Sequence, residues 1–368
     1  MKEMVATYGG SSAAVSSDDA SDLAWLREFL SPAFEFGEAG ASSRFILQSD
    51  TRAVEAGRRM SLTTCGQVTA FILDSGVEKL PCQQDSAQEV VAYDRVFDAV
   101  YHKVGDTTLV LDVPSPSPGR RARGGWMRAI RERAMDHAWL AGGSFLHAAA
   151  FVVEGSTVVV AGDKGAGKST MLCAALLGLR GAEFLANDRL TLHRSGGLLR
   201  ARALPSIVSI RAGSLGVVPG LAERFSGMTQ DHTGAPLTRE SFALRRTMAP
   251  SQFACALEAS MTREAHVGCI LFPVIDPQEP DFRLRRLTEI ESGQRVLQSA
   301  FARHSLGIRS ELFAAPDHCG VFPTADQLLS RLSQATSGTP CFEAAVGPGL
   351  YQEREGMQRL VDAIFSTL

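Results

Sequence analysis

The chain has 368 residues, a hydrophobic fraction of 45% and a formal net charge of −3 from 37 Lys+Arg against 40 Asp+Glu. That length suits two domains or one large one. The near-balance of charge offers no field to attract nucleic acid or an anionic membrane. The longest apolar runs, such as Phe145 to Val153 and Cys269 to Ile275, fall far short of the ~18 residues a membrane span needs. Seven cysteines (Cys65, Cys82, Cys173, Cys255, Cys269, Cys319, Cys341), odd in number and without CxxC spacing, predict reduced structural thiols rather than a disulfide framework or a zinc site.

Met1 to Ser21 is Gly/Ser/Ala-rich and lacks the basic and apolar regions of a signal peptide, so it predicts a disordered leader on a cytoplasmic protein. Over residues 22–113, short strand-like runs at Phe45 to Gln48, Val68 to Leu73 and Thr107 to Val113 alternate with Gly/Asp/Ser turns. They predict a smaller N-terminal β-rich or α+β domain. Pro114 to Gly125 combines a Pro/Ser run with a basic Gly run, the composition of a linker, and places a domain boundary at 114–125. Trp126 to Leu140 has apolar residues at helical spacing, and its basic residues read as a solvated face.

The second domain, 126–368, reads as an α/β core. Strand Phe151 to Val153, a turn at Glu154-Gly155 and strand Val158 to Ala161 lead into Gly162, Asp163, Lys164, Gly165, Ala166, Gly167, Lys168, Ser169 and Thr170, a full match to GxxxxGK[ST]. The apolar segment Met171 to Leu179 follows, so the motif joins a buried strand to a helix, which is the context it requires. The glycines let backbone N–H groups converge on phosphates, Lys168 reaches the β/γ-phosphates, and the Ser169 hydroxyl ligates Mg²⁺ at a helix N-terminus that favours anions. The residues thus imply ATP and Mg²⁺ as ligands. Asp231-His-Thr-Gly and Asp317-His-Cys-Gly match the common DxxG tetrapeptide, yet no NKxD guanine motif occurs, so ATP is favoured over GTP; no LSGGQ transporter signature occurs either.

The short strand Phe184 to Ala186 ends at Asn187-Asp188-Arg189. Asp188 stands where an acid after a core strand holds Mg²⁺ or its water, or accepts a proton; the competing reading is a turn cap. Asp276 is a rival acid at the end of Cys269 to Ile275, but Pro273 in that run predicts an edge strand rather than the strand beside the loop. Arg189, next to Asp188, is placed to orient it. His147, followed by three alanines, reads on its residues alone as a satisfied core histidine. Arg211 to Gly268 is polar and punctuated by Gly and Pro, which predicts a lid or insertion whose Arg245 and Arg246 can neutralise developing phosphoryl charge. Strands at His266 to Ile275, Phe282 to Leu287 and Pro340 to Val346 and helices at about 289–303, 324–334 and 353–365 complete the chain.

Leu146-His147 before a hairpin, the loop that ends it, and Asn187-Asp188-Arg189 some eighteen residues after the loop together resemble the HPr kinase/phosphorylase family, including the related kinases of lasso-peptide and other peptide biosynthetic clusters. The resemblance covers about an eighth of the chain strongly and Trp126 to Leu204 loosely. It implies a P-loop kinase core of the HPr kinase C-terminal type, with His147 beside the transferring phosphate, Gly162 to Thr170 holding ATP, and Asp188 serving Mg²⁺ or the general base. This sequence departs from the family at Asn187, where HPr kinase/phosphorylase has a first Asp, and at Arg200-Ala-Arg202-Ala-Leu204, where it has Glu-Ile-Arg-Gly-Leu. Those losses argue against a phosphorolysis activity and leave the base open between Asp188 and His147.

The resulting expectation is a phosphotransferase acting on a hydroxyl, with Asp188, His147, Lys168 and Arg189 as catalytic residues and Ser169 and Asp188 on the metal. Its acceptor is a serine of a peptide or protein; a small-molecule hydroxyl is the alternative, and a non-catalytic ATP-binding regulator is a third reading. Neither nucleic acid nor membrane is an expected partner, and a homo-oligomer is compatible with all three.

Overall fold

The alternation of β-branched runs and turn residues in the first third of the chain resolves into one nine-stranded sheet. A computed structural model describes residues 2–38, 40–63, 66–86, 89–114, 119–237, 245–315, 321–353 and 355–368. Cys65, Cys319, Asp317 and part of the expected linker and lid lie outside them. The described chain is mixed α/β with several sheets and divides into two units: Met1–Gly142 with His232–Pro236 and His304–Leu328, and Gly143–Asp231 with Leu237–Arg303 and Leu329–Leu368.

In the first unit the strands are β1 (Lys2–Tyr8), β2 (Ser11–Ser17), β3 (Glu35–Gly37), β4 (Ser43–Ser49), β5 (Gly66–Leu73), β6 (Gly76–Ser86), β7 (Glu89–Asp94), β8 (Ala99–Val104) and β9 (Thr107–Asp112). Their order is β3-β1-β2-β4-β9-β8-β7-β6-β5. β2, β4 and β9 run parallel, and β9 through β5 form an antiparallel meander. The expected leader is therefore corrected: residues 2–17 form the β1–β2 hairpin, which buries Val5, Ala13, Ala14 and Val15. Small residues suffice for such a strand because β2 lies between two neighbours, but they carry little compositional signal.

Helix α1 (Ala20–Leu30) starts at Asp19, whose carboxylate accepts from the Ser21 N–H at 2.8 Å, and α2 (Thr51–Met60) at Asp50, which accepts from the Ala53 N–H at 3.0 Å. Helix α3 (Ala122–Leu140) packs on β2, β4 and β9. It thus belongs to this unit and not to the second domain, and Gly124 and Gly125 of the expected linker are buried within it. Its basic face is corrected too. Arg131 and Arg133 are buried, Arg133 Nε donates to the Phe313 carbonyl at 2.7 Å, and Asp136 accepts two 2.8 Å bonds from Arg309. Arg309, Phe313 and Ala315, distant in sequence, supply these partners, which no local pattern announces.

The second unit holds β10 (Ser144–Leu146), β11 (Ala148–Val153), β12 (Ser156–Ala161), β13 (Glu183–Ala186), β14 (Leu190–Ser195), β15 (Leu198–Ala203), β16 (Val208–Arg211), β17 (Arg245–Met248), β18 (Ser260–Met261), β19 (Glu264–Ile275), β20 (Phe282–Arg286) and β21 (Cys341–Val346). The main sheet runs β10-β14-β15-β19-β12-β11-β13-β18, with β21 beside β19 and β20 beside β21; β16 and β17 pair separately. The helices are α4 (Lys168–Gly178), α5 (Ala212–Val217), α6 (Leu221–Arg224), α7 (Pro250–Ala256), α8 (Glu289–Gln298), α9 (Ala325–Thr336), α10 (Pro348–Gln352) and α11 (Gly356–Phe365). The α8 start carries a Thr288/Glu291 capping box.

The core of this unit packs Val158 and Val160 of β12 and Cys269 and Leu271 of β19 against Met171, Leu172 and Leu176 of α4 and Leu360 and Ile364 of α11. Burial of each such side chain stabilises by about 1.5–3 kcal/mol. Two expectations change here. β19 is not an edge strand: it pairs in parallel with β12 from His266 to Leu271 and with β21 from Ile270 to Ile275. Ile270 donates its N–H toward the β21 side, to Pro340 O at 2.9 Å, so alternation turns the Pro273 nitrogen to the β12 side, where pairing has already ended. The segment 211–268 is also not one irregular cover. Its described parts form elements, and Val218, Leu221, Phe225, Met248 and Phe253 are buried in the same core as α4. Apolar anchors scattered among glycines and prolines have no period to detect. No helix among the described residues is long and apolar enough to cross a membrane. Cys82, Cys173, Cys269 and Cys341 are buried, and Cys255 is exposed.

Candidate active site

β12 is short, β-branched and buried, and α4 begins immediately after Gly167, so the loop from Gly162 is held between a core strand and a helix start. Gly165 and Gly167 take φ of 95° and 94°, which side chains at those positions would resist. Lys168 is buried, and its Nζ donates to the carbonyls of Gly162 at 2.6 Å and Asp163 at 3.1 Å. The ammonium is thereby folded onto the loop it would serve. Thr170 Oγ1 lies 2.9 Å from Ser214 Oγ of α5, which ties the segment after β16 to the first turn of α4.

Strand register brings the other candidates to the same end of the sheet. Ala148 pairs with Ala161, so His147 sits across from Gly162; Ala150 pairs with Ala186, so Asn187 and Asp188 emerge beside them. His147 Nε2 is 3.6 Å from Asp188 Oδ1, and Arg189 Nε is 3.3 Å from Asp188 Oδ2. The His147 N–H donates to Ser299 O at 2.9 Å, which fixes its backbone. Asp188 keeps about a third of its side chain exposed (36%), enough for a ligand to reach it. Arg189 is 7% exposed, and its guanidinium carbon stacks 4.2 Å from the Phe301 ring centre. Phe301 is carried there by a bridge between Leu146 and Ala300 and by its own N–H, which donates to Phe145 O at 3.1 Å. Arg189 Nε makes no hydrogen bond there among the described residues, so its pairing with Asp188 is an ion pair, set beside a cation stacked on an aromatic ring.

The remaining candidates fall elsewhere or take other partners. Asn187, at the place of the missing acid, donates from Nδ2 to Ile207 O at 3.4 Å. Arg200 and Arg202 both point at Glu264, with Nε–O distances of 2.5 and 2.8 Å, and His193 Nε2 is 3.5 Å away. Burial pushes the Glu264 carboxyl up, and the two arginines outweigh it and hold it below its usual range. Burial lowers His193 despite that carboxylate. Arg246 is buried in β17, where burial lowers its pKa, rather than standing free on a mobile cover. Asp276, set aside because of Pro273, ends the strand next to β12, and its Oδ1 accepts from the Gln278 N–H at 3.0 Å. Among the described residues no group of three or more His, Cys, Asp and Glu forms a metal cage.

Sequence reasoning missed Phe301, Ser214, Ile275 and Tyr351. A Cβ placed on Gly167 would lie 3.6 Å from Tyr351 Oη and 3.9 Å from Ile275 Cδ1, so both side chains border the loop. The one local sign was Gly347-Pro348-Gly349 just ahead of Tyr351.

No family model matches the chain, and no curated protein matches it. Among solved structures it is similar to the Hpr(Ser) kinase/phosphatase from Coxiella burnetii, at 15% identity over 39% of this chain and 72% of that one, with a TM-score of 0.22. A likeness of that extent carries no argument, and the functional reading rests on the site.

Proposed function

We propose that the protein is an ATP- and Mg²⁺-dependent kinase that transfers the γ-phosphate to a hydroxyl, with a serine of a peptide or protein as its acceptor. The observation that carries this reading is the meeting, at one end of one sheet, of a complete phosphate loop with His147, Asp188 and Arg189. Phosphoryl transfer passes through a loose transition state and asks of the protein mainly positioning and charge stabilisation. The loop amides and Lys168 supply those for the phosphates, once Lys168 exchanges its two loop carbonyls for phosphate oxygens. Asp188, ion-paired with Arg189 and next to His147, would orient the acceptor hydroxyl, and the Asp188–His147 pair would share its proton.

Ser169 and Asp188 are hard oxygen donors of the kind Mg²⁺ takes; the ion needs few protein ligands because phosphate oxygens and water complete its shell. Bound there, it would neutralise charge on the phosphates. The resemblance to HPr-kinase-related enzymes supports a seryl acceptor, while the phosphate loop itself touches only the donor.

The test follows γ-phosphate from ATP to panels of seryl peptides and hydroxylated small molecules, for the parent and for Lys168→Ala. The variant should stay folded and lose transfer by about 10²–10³-fold or more. Transfer at the parent rate overturns the site assignment. Phosphorylation of small molecules alone overturns the peptide acceptor, and ATP binding without transfer to any acceptor makes the protein a nucleotide-responsive regulator.

A further inference from the structure

One buried hydroxyl beside the loop has no role in the reading above. Tyr351 Oη is inaccessible to solvent and makes no hydrogen bond among the described residues, although it lies against Gly167 at the N-terminus of α4. A buried hydroxyl left without a partner costs free energy, so native folds rarely keep one without a use. Burial also holds the phenol well above its usual pKa, so it remains a neutral donor at physiological pH.

The backbone around Tyr351 is built to hold it there. A Cβ on Gly347 would fall 1.6 Å from Glu279 O, and one on Gly349 would fall 2.3 Å from Pro280 O. At these two glycines the chain passes so close to residues 279–281 that the Gly347 N–H donates to Asp281 O at 2.8 Å and the Gly349 N–H to Pro280 O at 3.0 Å. Leu350, fully buried, anchors α10 in the core. These contacts aim the next residue, Tyr351, at the last glycine of the loop, which Ile275 also borders. The loop end there presents N–H groups and a helix N-terminus, both suited to an anion.

We propose that Tyr351 is a phosphate-contacting residue, its hydroxyl, closed to solvent here, donating to a phosphate oxygen of the nucleotide held at Gly167 once the loop shifts to admit it. This rests on the loop being the phosphate site. It assigns to α10 a direct part in binding the donor, with a ligand class of nucleoside triphosphate or inorganic polyphosphate.

The test is Tyr351→Phe, which removes one oxygen and nothing else. Affinity is measured by calorimetry with Mg·ATP and with inorganic tripolyphosphate, and the thermal midpoint is measured without ligand. The expected result is roughly tenfold or more weaker binding of both ligands, the loss of a hydrogen bond to a charged group. The ligand-free midpoint should stay the same or rise, because an unpaired buried hydroxyl has gone. A purely structural tyrosine gives the opposite pattern, a lower ligand-free midpoint with unchanged affinity, and overturns the proposal. So does a loss confined to ATP with tripolyphosphate unaffected, since the contact would then lie off the phosphates. If the parent binds neither ligand, the nucleotide reading fails and this inference fails with it; if the parent binds and the variant binds equally, only this inference fails.

Discussion

Replacing Gly347 with alanine tests whether the close backbone approach that places Tyr351 is real. The new methyl carbon would sit 1.6 Å from Glu279 O and 2.6 Å from Glu279 C, both backbone atoms with no rotamer to move away. Contact at a tolerable 3 Å or more needs the two segments to part by over an ångström. That displacement breaks the 2.8 Å bond from the Gly347 N–H to Asp281 O and strains the 2.9 Å bond from the Asp276 N–H to Val346 O. Overpacking of this kind costs about 1–3 kcal/mol, and the lost backbone bond adds about 1 kcal/mol, so the variant should lose roughly 2–4 kcal/mol. The backbone at Gly347 is extended, with φ −103°, so the loss comes from contact and not from conformation. Native-state amide exchange of β19 and β21 reads it, as exchange faster by about a hundredfold. All three tryptophans, Trp25, Trp126 and Trp139, lie in the first unit, so their fluorescence checks that unit separately. Protection of β19 and β21 within about 1 kcal/mol of the parent would refute the close approach and, with it, the placement of α10.

Phe301→Ala should cost about 3–5 kcal/mol for the buried ring and about 1–2 kcal/mol more for the cation it supports, whereas Phe301→Leu should cost under about 1.5 kcal/mol. Urea unfolding followed by circular dichroism measures both, and both variants should lose more phosphate transfer than ATP affinity if Arg189 holds Asp188 from that ring. Lys103 is buried in the first unit, where burial, with the Arg133 charge adding to it, pulls its pKa down to about 8. Between about pH 8 and its unfolded value of ~10.4 the unfolded chain binds the extra proton, so stability rises with pH there by roughly 3 kcal/mol, and the buried cation opposes folding below that window. Tryptophan fluorescence during denaturation of the parent and of Lys103→Met should show this rise only in the parent; equal slopes would place the ammonium in solvent.

Much of the second unit was legible. Strands such as Val158 to Ala161 and His266 to Ile275, and the helix after the loop, follow from short apolar runs and from a motif whose residue types are dictated by the phosphate it would hold. Residues 2–17 were not legible, because Ala and Ser in a strand gain burial only from their neighbours. The basic face of α3 was misread for the same kind of reason. Arg131 and Arg133 look solvated on a helical wheel, yet both are buried, and Arg133 meets the carbonyl of Phe313 from a distant stretch of the same unit.

By itself the sequence determined the loop, its place between strand and helix, and the acid eighteen residues on, since these depend on local spacing and on residue chemistry. Only the tertiary structure decided which distant residues join them. Strand register sets His147 across from Gly162 and lets Asp188 come within 3.6 Å of it. A bridge at Ala300 brings Phe301 under Arg189, and two glycines pressed against residues 279–281 aim Tyr351 at the loop. Such contacts join positions about 15 to 185 residues apart in the chain, and what fixes them is sheet pairing and close packing, which leave no periodic trace along the sequence.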